Sequence, residues 1–522
     1  MKKYSLFILS AVLVVQLSAQ KKPAQDWHFK APKKKNMGIS VYEAYKTPQA
    51  QVPSKTIVVA VIDGGTDVNH EDLKDVIWKN PKEIAGNKLD DDNNGYIDDV
   101  YGWNFIGGAD GSNVGADNLE KVRVFKKMSL KYETGTWDVS DEGYQKYLSM
   151  KEEIQAGNES GKAQLKQFKT ILDALKSIQK ATKSDNPSPE EMMNVQTEDP
   201  MINGMAAGIA KALKKDKIQF IDVYNQFNDQ VKGLDTRVNY QNNPDFDSRK
   251  IVGDDYANSS ERIYGNNDVI GPDASHGTHV AGIIAAKRDN NLGMNGIADN
   301  VKIMVVRVVP DGDERDKDVA NGIRYAVDNG AKIINMSFGK GFSWDKNIVD
   351  SAVAYAESKG VLLVHAAGNS GQNNDIESNY PNDTLWGGKR FAANWLEIGA
   401  SQAKRKILAT DFSNYGKNNV DLFSPGWQIY STIPNNGYAY FDGTSMAAPV
   451  AAGVAAFVWS RYPNLTAVQM KEILMKSSIK LNKKVVLPGT EKEKVPFADL
   501  SVSGGLINAK AAIEMAAQMS GK

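Results

Sequence analysis

The stretch FDGTSMAAPV, residues 441–450, leads directly into a run of nine small or apolar residues, 451–459. This run is apolar at every helical phase, which is typical of a buried central helix. Proline is tolerated only near the start of a helix, so Pro449 predicts a helix start close to Ser445. Free backbone N–H groups and the helix dipole can stabilise a developing anion there. Ser445 is therefore a candidate nucleophile, which needs a base and a group that orients the base.

The chain has five histidines, and two of them lie in SHGTHVAGIIAA, residues 275–286, where small residues again precede an apolar helix. His276 is the candidate base. A metal pair of His276 with His279 would lack an acidic residue at zinc-protease spacing, so His279 is predicted to be a packed helix residue. The candidate acid is Asp63, which ends the β-branched run 56–62 and precedes two glycines. An open parallel sheet presents functional groups in this way at its carboxyl edge.

Four sequence blocks resemble those of the subtilisin-like serine peptidases. They are VVAVIDGG at 58–65, HGTHVAG at 276–282, GTSMAAPVAAG at 443–453 and VHAAGNSG at 364–371. The first three are similar to the family's signature blocks, in the family's order of acid, histidine and serine. The fourth resembles the block that carries the family's oxyanion-hole asparagine, here Asn369. The resemblance covers about residues 38–107 and 252–516.

The resemblance implies a serine endopeptidase that acts on protein or peptide substrates and needs no cofactor for catalysis. Asp63 would hold the His276 imidazole in one tautomer, and His276 would take the Ser445 proton. The Asn369 side chain and the Ser445 backbone N–H would receive the oxyanion. Two alternatives use the same residues: a catalytically vestigial binding protein on this scaffold, and an esterase or transferase with the same triad.

Strands and helices alternate through the second half of the chain. Strands are predicted at 301–309, 331–336, 361–364 and 396–400, and helices at 318–329 and 348–359. The alternation predicts an α/β fold with a doubly wound, mostly parallel sheet and helices on both faces. Just past one predicted strand end, Ser337, Phe338 and Gly339 resemble the family's segment that pairs with substrate backbone.

The first nineteen residues have the features of a signal peptide. Lys2 and Lys3 precede an apolar stretch at 4–15, and small residues lie before a cut ahead of Gln20. We expect export to the periplasm or the medium, with no membrane span after removal of the signal; an uncleaved anchor or a buried helix is the alternative. With 63 basic and 63 acidic residues, the net charge is zero and no nucleic-acid partner is predicted. The absence of cysteine excludes disulfides and thiol catalysis.

An acidic stretch, KLDDDNNGYIDD at 88–99, matches the first half of a calcium loop. Asp90, Asp92 and Asn94 have the alternate spacing of calcium ligands, but the closing glutamate is missing. We expect a structural Ca²⁺ site that uses these three residues and Asp98 or Asp99. The alternative is a solvated acidic turn.

The predicted peptidase domain, 20–107 and 251–516, is interrupted by residues 108–250, which match no part of the family. Apolar residues recur at helical spacing over 165–178 and 220–231, and Ser188 begins a capping box with proline at the first helical position. We therefore expect a helical insertion. It is either a gate or exosite at the cleft, or an ornament on a remote face.

Overall fold

The computed structural model describes residues 22–138, 140–216 and 218–521. The predicted signal peptide, residues 1–19, lies outside this part of the chain. The described residues form two compact units. The larger contains Pro23–Val124 and the chain from Asp247 onward, and the smaller contains Phe125–Phe246.

The described part of the chain has fifteen β-strands, numbered here in chain order. They are β1 (Ile57–Asp63), β2 (Gly102–Asn104), β3 (Val301–Arg307), β4 (Ile333–Met336), β5 (Leu362–Ala366), β6 (Thr384–Leu385), β7 (Arg390–Phe391), β8 (Trp395–Ser401), β9 (Leu422–Pro425), β10 (Ile429–Ile433), β11 (Gly437–Phe441), β12 (Ile479–Lys480), β13 (Lys484–Val486), β14 (Lys494–Pro496) and β15 (Gly505–Leu506). Nine of these strands form one sheet in the order β12-β15-β9-β8-β5-β4-β1-β3-β2. Within this sheet the β12–β15 pair is antiparallel and the other neighbours are parallel. The predicted fold class is confirmed.

The strand order reverses beside β1. The chain runs from β1 to β3 on one side of it and then crosses to β4 on the other side, from which the sheet continues to β5. In an open α/β sheet, ligands bind outside the carboxyl ends of the strands at such a point. Asp63 is the last residue of β1, and its neighbour Ile62 is in register with Met336 at the end of β4. The sheet therefore places Asp63 and Ser337 at the same crevice.

The same residues contain thirteen α-helices, again numbered in chain order. They are α1 (Val41–Ala44), α2 (Glu120–Tyr132), α3 (Glu142–Thr182), α4 (Pro189–Met193), α5 (Pro200–Asp216), α6 (Phe220–Thr236), α7 (Arg249–Val252), α8 (Ser275–Ala285), α9 (Asp316–Asp328), α10 (Lys346–Ser358), α11 (Thr444–Arg461), α12 (Ala467–Lys476) and α13 (Ala509–Met519). The helices predicted at 318–329 and 348–359 correspond to α9 and α10.

The larger unit has a hydrophobic layer on each face of its sheet. Helices α8, α11, α12 and α13 contribute to one layer, and α9 and α10 contribute to the other. Apart from Ser445, every residue of α11 is buried. The prediction of a buried central helix is confirmed, and its full burial follows from the small residues that let it lie close to the strands.

The smaller unit is helical. Helix α3 is 41 residues long, and apolar residues of α3, α5 and α6 form a separate hydrophobic core that includes Leu175, Ile178 and Phe227. Helix α4 begins at Pro189 with the predicted capping box between Ser188 and Glu191. Among the described residues of both units, no helix has the length and apolar character needed to span a bilayer.

Candidate active site

Asp63 and His276 meet at the carboxyl end of β1. Asp63 is buried, and both of its carboxylate oxygens lie 2.9 Å from Nδ1 of His276, which is the second residue of α8. The Gly64 backbone N–H also donates to Asp63 Oδ1 over 2.8 Å. A carboxylate held in this way fixes the imidazole so that Nε2 is free for proton transfer.

The glycine that follows His276 allows the start of α8 to lie against the loop after β1. A Cβ atom on Gly277 would come within 2.2 Å of the Gly65 carbonyl oxygen, where no side chain fits. Gly65 itself has φ +136°, in the region that favours glycine. These two glycines therefore set the spacing between β1 and α8 that brings His276 to Asp63.

The pKa of the His276 imidazole is raised above its usual value. Partial burial by itself lowers this pKa, but the charge of Asp63 and the hydrogen bond to it have the larger combined effect. The side chain remains 44% exposed, so protons and a substrate can reach it. The imidazole is therefore held by Asp63 and open to the cleft.

Ser445 is the second residue of α11 and is tied to the segment after β4. Ser445 Oγ donates to the Ser337 carbonyl over 2.9 Å, and Ser337 Oγ donates to the Ser445 carbonyl over 2.8 Å. Pro449 explains the second bond. The Ser445 carbonyl would normally accept from the N–H four residues later, which proline lacks. The carbonyl is thus available to Ser337, and this exchange fixes the backbone of Ser445.

Within the described part of the chain, no hydrogen bond joins Ser445 Oγ to His276. The hydroxyl points to Ser337 instead. Catalytic hydrogen bonds often form only when a substrate is bound, and a serine hydroxyl rotates readily. The structure brings Asp63 to His276 and Ser445 to Ser337.

Asn369 follows β5 and lies next to the start of α11. Its Oδ1 accepts from the Thr444 backbone N–H over 2.8 Å and from Thr444 Oγ1 over 3.0 Å. The amide nitrogen is thereby turned away from Thr444, and it has no hydrogen-bond partner among the described residues. Thr444 was not predicted from the sequence, although it orients the predicted oxyanion donor.

A cleft of about 360 Å³ lies beside the Asp63–His276 pair. Its lining includes Asp63, His276, Phe338 and the segment Val309–Asp311. In the described structure, the backbone N–H and C=O groups of Phe338 and Gly339 make no hydrogen bond. An extended segment with unpaired backbone groups can add an extended peptide as a further strand.

The acidic loop brings together only two of the predicted calcium ligands, Asp90 and Asp92. Oxygen atoms of Glu83, Asp90 and Asp92 lie within 4.8 Å of one another. Asn94 Oδ1 instead accepts from the Tyr96 N–H, and the Asp98 carboxylate accepts from the N–H groups of residues 86 and 88. Glu83 was missed because it precedes the motif.

Glu83 differs from its neighbours in the loop. Its Oε1 accepts from the N–H groups of Asp91 and Asp92, whereas its buried Oε2 has no partner. Desolvation and the charges of Asp91 and Asp92 raise the pKa of its carboxyl. Carboxylate oxygens without a cationic partner are the ligands that Ca²⁺ prefers.

His279 has a structural environment, as predicted. Its Nε2 lies 3.1 Å from the Ala439 carbonyl oxygen, and its ring stacks on Phe441 with centroids 4.2 Å apart. Burial lowers its pKa to about 3, so it stays neutral. It is the packed residue rather than a metal partner of His276.

Comparison with known proteins adds the family. The subtilase family model matches residues 228–500, which include His276, Asn369 and Ser445 but not Asp63. The chain is 38% identical to the thermophilic serine proteinase of Bacillus sp. (strain AK1), over 45% of this chain and 53% of that protein. Identity is 36% to thermitase of Thermoactinomyces vulgaris, over 44% of this chain and 74% of thermitase. It is 34% to subtilisin DY of Bacillus licheniformis, over 52% of this chain and 90% of subtilisin DY.

The chain thus spans about half the length of the first of these relatives and most of the length of the other two. The family model begins at residue 228, inside the segment 108–250 that was predicted to match no part of the family. Asp63 lies outside the matched residues and is joined to them by its contact with His276. The match covers about half of the chain, and the chain belongs to the subtilase family.

Proposed function

We propose that this protein is a serine endopeptidase that hydrolyses peptide bonds with Ser445 as nucleophile. The observation that carries the proposal is the Asp63–His276 contact beside the start of α11, at the point where the strand order reverses. The names of the relatives support peptide-bond hydrolysis rather than another acyl transfer. Because Asp63 and His276 form a complete pair, they give no support to the alternative of a catalytically vestigial binding protein.

In the proposed mechanism, His276 Nε2 takes the Ser445 proton while Oγ attacks the substrate carbonyl carbon. The developing imidazolium is stabilised by Asp63, which stays ionised. The oxyanion receives hydrogen bonds from Asn369 Nδ2 and from the backbone N–H of Ser445 at the positive end of α11. His276 then gives its proton to the leaving amine, and water releases the acyl group by the reverse sequence.

Substrate backbone is proposed to pair with the segment Ser337–Gly339. The support is that Ser337 is hydrogen-bonded to Ser445 and that the next two residues have free backbone groups at the cleft. A peptide that pairs with this segment as an added strand would lie with its scissile carbonyl near Ser445.

Labelling with a fluorophosphonate tests the nucleophile. The wild-type protein should label stoichiometrically, and Ser445→Ala should not label. Ser460→Ala is the matched control, because this buried serine donates to the Phe457 carbonyl at the other end of α11. Hydrolysis of casein and of a simple ester by the same preparation separates the peptidase from an esterase. Labelling without casein hydrolysis would contradict the peptidase assignment.

We also propose that the acidic loop binds a structural Ca²⁺ through Glu83, Asp90 and Asp92. The support is the convergence of three carboxylates and the unpartnered Glu83 Oε2. A bound cation would satisfy this oxygen and offset the repulsion among the carboxylates.

Calcium should therefore raise the stability of the folded protein by about 2.7 kcal/mol at a free concentration of about 100 times the dissociation constant. Glu83→Gln should weaken the response in a thermal melt, and Asp92→Ala should abolish it. Asp98→Asn is the matched control. It replaces one of the two oxygens that accept backbone N–H groups by an amide donor, and it should lower the melting temperature in calcium and in chelator alike. Identical wild-type melts with calcium and with chelator would contradict the site.

Export by the predicted signal peptide, residues 1–19, is the remaining part of the proposal. Expression of the full chain in a bacterial host should give a secreted or periplasmic product whose first residue is Gln20. Replacing the apolar residues 11–15 with alternating Asp and Ser should keep the protein in the cytoplasm at full length. A mature product that still begins at Met1 would contradict the assignment.

A further inference from the structure

The walls of the cleft lead to a buried cluster of charged side chains. One wall is Val309–Asp311 and the other is the segment Ser337–Phe338. Three residues beyond Asp311 lies Glu314, and two residues beyond Phe338 lies Lys340. Both residues are buried, with 2% and 5% of their surface exposed.

Lys340 joins the two walls. Its Nζ donates to the Glu314 carbonyl oxygen over 2.7 Å and lies 2.7 Å from Asp316 Oδ1. It also lies 3.0 Å from Glu120 Oε1, at the first residue of α2. The three oxygen partners hold the ammonium group in place and raise the pKa of Lys340 despite its burial. Lys340 therefore stays charged.

Arg123, one turn further along α2, completes the connection. It pairs with Glu120 and donates to the carbonyl oxygens of Asp313 and Glu314, each over 3.0 Å. Burial raises the pKa of the Glu314 carboxyl. The two cations, on Lys340 and Arg123, face the carboxylates of Glu120 and Asp316, and Asp117 Oδ2 also lies 3.7 Å from Arg123 Nη1.

We propose that this cluster, Glu120–Arg123–Lys340 with Glu314 and Asp316, closes the cleft and limits how many substrate residues bind on the amino-terminal side of the scissile bond. The inference rests on the proposed function and adds a length preference to it. Glu120 and Arg123 come from α2, a part of the chain that the family model does not match.

The side of the scissile bond follows from the contacts of Ser337. The acyl part of a substrate is held at Ser445 and Asn369, and Ser337 is hydrogen-bonded to Ser445. The free backbone that continues from Ser337 therefore accompanies the acyl part. Only Phe338 and Gly339 separate Ser337 from Lys340. An extended peptide rises about 3.3 Å per residue, so about three substrate residues fit before the closure.

A ladder of acetylated peptides with one to six residues before the scissile bond tests the closure. Each residue that pairs should raise kcat/KM about 2- to 10-fold. In the wild type the rise should stop at about three residues. In the double variant Lys340→Ala with Glu120→Ala, which removes both side chains, the rise should continue by one or two residues. A second series of peptides, extended on the carboxyl side of the scissile bond, should show the same dependence of kcat/KM on length in both proteins.

The matched control is Arg461→Ala with Asp299→Ala, which removes a pair bonded over 2.7 Å. Arg461 ends α11, about 24 Å along the helix axis from Ser445, so the wild-type plateau should be unchanged. This control separates an opened cleft from general destabilisation. A wild-type rise that continues through six residues would overturn the proposal, as would a change confined to the second ladder.

The same ladder can be measured without catalysis. Binding to Ser445→Ala, followed by calorimetry, should strengthen up to about three residues and then level off. If the wild type neither labels nor cleaves, the proposed peptidase function fails, while this measurement still tests the closure. Affinity that keeps increasing with length, or no binding at any length, would overturn the closure itself.

Discussion

Asn369 allows a graded test of the proposed oxyanion site, because one end of its amide is fixed and the other end is free. Thr444 holds Oδ1 through its backbone N–H, over 2.8 Å, and through its hydroxyl, over 3.0 Å. Nδ2 is then the end that can donate to an oxyanion. Asn369→Ala removes this donor and leaves the Ser445 N–H in place. One such donor contributes about 2.7–4 kcal/mol to the transition state, so kcat should fall about 100- to 1,000-fold with little change in KM.

Two further substitutions separate the donor from its support. Asn369→Asp keeps the shape and the acceptor for Thr444, but it places a negative acceptor where the donor was. Its kcat should be lower than that of Asn369→Ala. Thr444→Val removes the hydroxyl and keeps the backbone N–H that holds Oδ1. It loses the hydroxyl's bond to Asn369 Oδ1 and the bond that the hydroxyl accepts from the Gly368 N–H over 3.2 Å, each about 1 kcal/mol, so kcat should fall by at most about 30-fold.

The assay is steady-state hydrolysis of one peptide anilide over a range of concentrations, with thermal melts to confirm that each variant is folded. The predicted order of kcat is wild type, Thr444→Val, Asn369→Ala and Asn369→Asp. An aspartate variant more active than the alanine variant would refute the assignment of Nδ2 as donor. A loss that appears in KM rather than in kcat would show that Asn369 binds the ground state instead.

Three other predictions concern the same framework. Ser445→Ala, His276→Ala and their combination should lose similar activity in the anilide assay, because each removes the same activated nucleophile; additive losses would contradict the roles. Since the pKa of His276 is raised above 6.5, kcat/KM should fall on acidification with a midpoint above this value, and a flat profile from pH 5 to 9 would exclude a histidine base. Replacing residues 125–246 with a Gly/Ser linker should leave a folded larger unit by circular dichroism, whereas replacing 110–248 should destabilise it by several kcal/mol; equal melting temperatures would contradict the difference.

The sequence predicted the parts of the fold that follow from local pattern. An apolar run that ends in Asp63 gave a central strand, and the run after Ser445 gave a buried helix. The alternation of strands and helices gave the parallel sheet, with Asp63 at the carboxyl edge of one strand. These inferences depend only on periodicity and on the rules of parallel sheets, so distant contacts were not needed.

The remaining features depend on contacts between residues far apart in the chain. Thr444 holds Asn369 across 75 positions, and no spacing rule connects them. The motif that suggested Asp98 as a ligand gives the order of residues but not the path of the loop. Asp98 has φ +54°, which turns its carboxylate toward backbone N–H groups, and Glu83 comes close from outside the motif. Local sequence could not show either effect.

The amino-terminal boundary of the insertion follows from which of its residues are buried in the larger unit. The predicted insertion begins at residue 108, yet Asp117, Glu120 and Arg123 are buried in the larger unit and pair with its basic and backbone groups. Asp117 binds Arg315 over 2.7 Å, and the same carboxylate accepts from Ser248 Oγ over 2.7 Å, so both ends of the inserted chain meet at one buried ion pair. Removing these acids would leave Arg315 without its carboxylate and Lys340 without one of its two, at a cost of about 3–5 kcal/mol for a broken buried pair. The residues that root the insertion are therefore buried in the larger unit, and the smaller unit begins only at Phe125.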